Sequence, residues 1–173
     1  MVVKINRAPV LTLWAAIVAE RLGFDEDEAL TLGKALAGYT AQSKGQRLGI
    51  YHPPPGEESE EKGEAPPDLV FVNLMGRSLP ALMTPDGVRA AEKGKPSDPA
   101  KVRVYLQKKF GDGLAPTRKV MRALALSFPP SHLEAEAYSL YERFRPPVEK
   151  GKAGWGSEGE LDLDKIARLA RPT

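Results

Sequence analysis

Apolar residues recur at helical spacing through most of the chain, and the first such run sets the frame. From Pro9 to Leu22 the only polar side chains are Thr12, Glu20 and Arg21. A surface helix keeps a polar face, so a helix with almost none predicts a central place in a core. Pro9 suits a first helical turn, and Gly23 after Leu22 is a stop signal. Asp25 and Glu28 have the spacing of a capping box, which predicts a second helix to about Ser43, with Gly45 beyond it. That helix carries Ala29, Gly33, Ala37 and Ala41 at every fourth position, a flat ridge on which another helix can lie close. Gly33 and Gly38 each cost about 1 kcal/mol against Ala in a helix interior, which close packing would offset. The ridge has two readings: a helix pair within the chain, which is favoured, or a dimer interface.

The pattern stops at residues 52–67, which hold Pro, Glu and Gly with little that could be buried. They read as an exposed linker, or as an acidic flap competing with anionic ligands. Residues 68–75 and 78–84 predict one hairpin, with Gly76-Arg77 as a type II′ connection and Pro80 on an edge. Thr84 to Gly87 is a turn signal, and Val88–Lys93 reads as a short helical turn. Asp98 and Pro99 open a third long helix with a stripe of Val102, Tyr105, Leu106 and Phe110, ended by Gly111. Pro116 opens a fourth, with Val120, Met121, Leu124 and Phe128, broken by Pro129 and Pro130. Ser131 and Glu134 suggest a capping box for a fifth, with Leu133, Ala137, Leu140 and Phe144. After a Gly- and Lys-bearing loop around Trp155, Asp162 caps a last short helix with Leu163, Ile166 and Leu169. Trp155 is read as pinning this tail to the body, with ligand stacking as the other reading. The fold expected is mainly α, a single-domain, bundle-like arrangement with one small β-hairpin. Its parts are an N-terminal helix pair (1–51), an acidic Pro/Glu-rich linker (52–67), and the hairpin with the remaining helices (68–173).

Composition narrows the classes. The chain has 173 residues, 42% of them hydrophobic, enough for a real core. With no Cys, disulfides, thiolate catalysis and Cys-based metal sites are excluded. No apolar run suggests a membrane span or a signal peptide, so a soluble cytoplasmic protein is expected. Two Asn and three Gln against 16 Pro lean towards a thermophile.

Charge changes the picture most. The net charge is +2, yet residues 89–122 hold ten basic and three acidic side chains, and residues 56–68 hold one basic and six acidic. This asymmetry is the strongest functional hint in the chain. His52 and His132 have no metal-ligand spacing around them. No Gly-x-Ser-x-Gly elbow or phosphate-binding Gly-rich loop is present, and the run Asp25–Glu28 is explained by its place at a helix start. No cofactor, metal or catalytic residue is assigned. What survives is the basic block. Lys101, Arg103, Lys108, Arg118, Lys119 and Arg122 are the candidate phosphate contacts, with Arg89, Lys93 and Lys95 just upstream. Lys44, Arg47 and Arg77 form a second, weaker set. The bland reading is a solvated helix face paired to the Glu-rich fifth helix.

The segments from Ile5 to Trp14 and from Ala19 to Phe24, with Lys109-Phe110-Gly111, resemble a group of small conserved bacterial proteins of unassigned function. The likeness spans most of the chain outside residues 52–67 and carries no activity or site residues with it. The helix pair from Trp14 to Lys44 followed by a hairpin is also similar to a winged-helix layout. It departs from that layout in its acidic insertion and in the few base-reading side chains on its second helix. The function expected is sequence-independent nucleic-acid binding through a basic helical face. The alternative is a homodimeric helical interaction module without catalytic activity. A third rival, leaning against, is an enzyme with dispersed groups.

Overall fold

The computed structural model describes residues 1–47, 69–92, 94–147 and 159–170, the side chains of 41–47 excepted. The predicted linker 52–67, His52, Lys93 and Trp155 lie outside the described residues.

Helix α1 (Arg7–Arg21) is the centre of the core, as its composition predicts. Every residue from Pro9 to Ala19 is buried. Trp14 is fully buried, donates its indole N–H to the Ala137 carbonyl at 2.9 Å, and meets Phe144 edge-on at 5.4 Å. The helix ends in a Schellman motif. The Phe24 N–H reaches the Ala19 carbonyl, the Gly23 N–H reaches that of Glu20, and Gly23 takes φ 115°.

Helix α2 (Glu26–Arg47) begins with the predicted capping box. The Asp25 carboxylate accepts the Glu28 N–H at 2.8 Å, and the Glu28 carboxylate accepts the Asp25 N–H at 3.0 Å. The helix runs past Ser43 and through Gly45, further than expected. Its small-residue ridge lies against α1. A methyl group at Gly33 would stand 2.5 Å from the Thr12 carbonyl oxygen and 2.9 Å from the Ala16 nitrogen. At Gly33 the ridge is therefore covered by α1, the helix pair within the chain.

The β structure is larger than one hairpin. Strands β2 (Leu69–Leu74), β3 (Arg77–Thr84), β4 (Gly87–Glu92) and β5 (Lys95–Pro96) form an antiparallel sheet in sequence order. The β2–β3 connection is Met75-Gly76, one residue earlier than predicted, with Leu74 opposite Arg77. Both connecting residues have positive φ, 51° and 81°, as a type I′ turn requires. Met75 tolerates this conformation because its side chain is buried in the core. Residues 88–92, expected to be helical with Lys93, belong to strand β4. Gly87 at φ 116° reverses the chain so that Thr84 faces Gly87 and Ala81 faces Ala90. This pairing stops one residue short of Pro80, which has no N–H to extend it.

Strand β4 leaves N–H groups on the side away from β3, and α2 takes them. The Glu28 carboxylate accepts the Val88 N–H at 2.8 Å, and the Thr31 hydroxyl accepts that of Ala90 at 3.0 Å. The capping carboxylate therefore also covers a strand edge.

Helices α3 (Pro99–Phe110), α4 (Leu114–Leu126), α5 (Pro130–Phe144) and α6 (Leu163–Leu169) follow. The Asp98 and Asp162 caps form as predicted, accepting the Ala100 N–H at 2.9 Å and the Asp164 N–H at 3.0 Å. The Ser131 cap does not form. Pro130 takes the first helical position, where its missing N–H costs nothing, so the cap position falls to Pro129. A second small sheet pairs β1 (Val2–Ile5) with β6 (Gly159–Asp162), antiparallel, from Val2 opposite Asp162 to Ile5 opposite Gly159. The fold is mainly α, with these two antiparallel sheets in place of a single hairpin.

Candidate nucleic-acid interface

The six candidate phosphate contacts stand on α3 and α4, joined by a 3-10 turn at Gly111–Gly113. Gly111 makes the break at φ 55°, and Gly113 lies so close to β1 that a methyl there would meet Val3 at 2.9 Å.

On α4 the buried side is Leu114, Thr117, Met121, Leu124 and Ala125. At about 100° per residue, Arg118, Lys119 and Arg122 fall within one roughly 100° sector on the other side. Lys119 and Arg122 are exposed and Arg118 half-buried. Leu126, 67% exposed, shares their face. These three cations are brought together.

On α3 they are not. Val102, Leu106 and Phe110 are buried. Lys101 and Lys108 share one flank of that stripe, whereas Arg103, about 200° round from Lys101, leaves by the other. Arg103 hydrogen-bonds the Asp27 carboxylate through Nη2 and sits 3.6 Å from Glu26 through Nε. The Asp27 hydrogen bond is the main reason its pKa is raised. Lys101 and Lys108, expected opposite the apolar stripe, thus stand apart from Arg103.

Two further arginines are drawn to the same acids at the α1–α2 turn. Arg122 lies 3.5 Å from Glu20, and the buried Arg89 lies 3.9 Å from Asp27. Arg89 also donates to the Val88 carbonyl at 3.0 Å. Glu20 is itself a balance. Burial raises its pKa, Arg122 lowers it, Glu26 raises it and Arg118 lowers it again. Among the described residues the ion-pair partners of the block are therefore Glu20, Glu26 and Asp27, not the acidic residues of α5. The Asp25–Glu28 run has a second use beyond its helix dipole, which its local sequence did not reveal.

Lys101, Lys108, Arg118 and Lys119 have no carboxylate within ion-pair distance among the described residues. Between α2 and α3 a further cation, Lys34, lies near Lys109 of the block. Lys34 lies 4.1 Å over the Tyr105 ring, with its pKa lowered by burial first and by the Lys109 charge after Glu92 opposes it. Lys34 sits mid-helix on a ridge helix, outside the basic block, so charge counting passed over it. Of the weaker set, Arg77 stacks over Tyr39 at 5.6 Å, while the side chains of Lys44 and Arg47 lie outside the described residues. No group of three or more His, Cys, Asp or Glu side chains is disposed to hold a metal among the described residues. No described helix is long and apolar enough to cross a membrane.

No family model, curated protein or solved structure matches the chain, so the resemblance drawn from its sequence segments rests on those segments alone.

Proposed function

We propose that the protein binds nucleic acid through its phosphate backbone, independently of sequence, with the outer face of α4 as the main contact. The observation that supports this is the cluster of Arg118, Lys119 and Arg122 on one side of α4, with Glu20 as the only described carboxylate paired to it. Lys101 and Lys108 add a second strip on α3. Arg103 is withdrawn from the set, because its guanidinium is engaged by Asp27 and Glu26. Long cationic side chains on a regular helix can follow a phosphate backbone, and they carry no base-reading amides that would specify sequence.

With roughly three to five phosphates neutralised, log K should fall with log salt at a slope of about −3 to −4 on duplex DNA. Reversing Arg118 and Lys119 to Glu together should weaken all sequences alike and flatten the slope. The fold should survive, since neither charge sits in the buried stripe. Fluorescence titrations of labelled duplexes and single strands at several salt concentrations check this. Absence of binding by either form at about 50 mM salt would sink the reading.

A further inference from the structure

Two arginines meet at the N-terminal end of α1, about 20 Å along the helix from Glu20. Arg7, the first residue of α1, donates its Nε–H to the Pro146 carbonyl at 2.7 Å. Arg145, just past the end of α5, holds its guanidinium 5.7 Å from the Tyr141 ring centre. Burial is the first cause that lowers the Arg7 pKa, and the neighbouring Arg145 charge is the second. No described carboxylate lies within ion-pair distance of either arginine.

Tyr141 lies against both. It is fully buried, and among the described residues its hydroxyl has no acceptor for its proton. Burial pushes that hydroxyl well above the ordinary tyrosine range, with Arg145 and then Arg7 opposing, so it stays protonated. A guanidinium offers only donors, so neither arginine can receive the hydroxyl proton. Buried tyrosine hydroxyls ordinarily find a partner. The first turn of α1 holds no acidic side chain, and its dipole adds positive potential at the same place.

We propose that Arg7, Arg145 and Tyr141 form a binding site for a small oxyanion, a phosphate or carboxylate group. The two guanidinium groups and the hydroxyl proton are all donors, so what completes them is a group made of acceptors. Water would accept the tyrosine proton, but it has only two lone pairs for these donors, no negative charge to set against two cations, and protons of its own that need acceptors. Phosphate and carboxylate oxygens bring none, and the planar guanidinium matches both. This site lies at the other end of α1 from the α4 face and does not depend on nucleic-acid binding.

The test is thermal unfolding of the full chain titrated with inorganic phosphate, and separately with acetate, at constant ionic strength against sodium chloride. A bound anion raises the melting temperature in a saturable way. Phosphate also stabilises proteins generally by exclusion from their surface, so the comparison of variants decides. Tyr141→Phe keeps the ring packing and removes only the hydroxyl. It should fold at least as stably as the parent in chloride and bind the anion several-fold more weakly. Arg145→Gln should abolish the saturable shift, and Lys119→Glu should leave it intact. A stronger response to phosphate than to acetate assigns a phosphate group, and the reverse order a carboxylate. A response no greater than that to chloride, or Tyr141→Phe and Arg145→Gln variants that respond like the parent, would overturn the proposal.

Discussion

Gly33 and Gly38 look alike in sequence, five residues apart in one helix, and the structure separates them. A methyl at Gly33 would press on backbone atoms of Thr12 and Ala16, which cannot move without displacing α1. At Gly38 a methyl would meet nothing within 4 Å. Gly38→Ala should therefore stabilise by about 0.5–1 kcal/mol, the usual helix preference for Ala. Gly33→Ala gains the same preference but forces two helices apart, and should cost a net 1–3 kcal/mol, roughly the penalty of overpacking a core. Urea unfolding of the two variants gives shifts of opposite sign. Stabilisation of both would mean that the α1–α2 contact is looser than the Gly33 geometry demands. The sequence predicted close packing for both glycines; spacing alone could not say that Gly38 falls on the open side.

Among the elements, β4 gives two of its backbone N–H groups, those of Val88 and Ala90, to side chains of α2. Thr31→Val keeps the side-chain shape and takes away the acceptor for the Ala90 N–H. That buried donor would be left unpaired, at a cost of about 1–3 kcal/mol. Amide hydrogen exchange should quicken at Ala90 first, while α5 stays protected. Equal exchange at Ala90 in parent and variant would show that the edge is covered by other means. This strand was not legible in sequence, because Gly87-Val88-Arg89-Ala90-Ala91-Glu92 alternates poorly and is rich in helix formers. Helix ends were legible where their chemistry is local: the capping box of Asp25 and Glu28, the caps Asp98 and Asp162, and the stops Gly23 and Gly111. The same divide runs through the candidate site. The residue types and the helices carrying them could be read, but their partners could not. Arg103 and Asp27 are 76 positions apart, and Arg122 and Glu20 are 102 apart.

For the whole molecule, the pairing of β1 with β6 ties the first described strand to one of the last. Val3 and Ile5 are 8% and 2% exposed, and Val3 packs on the turn between α3 and α4. Removing residues 1–5 forfeits two buried apolar side chains, about 3–6 kcal/mol at most, and strips β6 of its partner. Circular dichroism melting of the shortened chain should show a markedly lower midpoint, and an unchanged midpoint would mean the strand adds nothing. Long separation also governs α1. Trp14 waits for Ala137, 123 residues later, before its indole N–H is satisfied. At a synthesis rate of about 5–20 residues per second, that interval is on the order of 6 to 25 s. During it the most apolar helix of the protein has α2 as its early cover, so the flat contact at Gly33 serves the nascent chain as well as the finished one. A loosened Gly33 contact would leave that helix uncovered for the whole interval and open the nascent chain to aggregation, the more so the slower its synthesis.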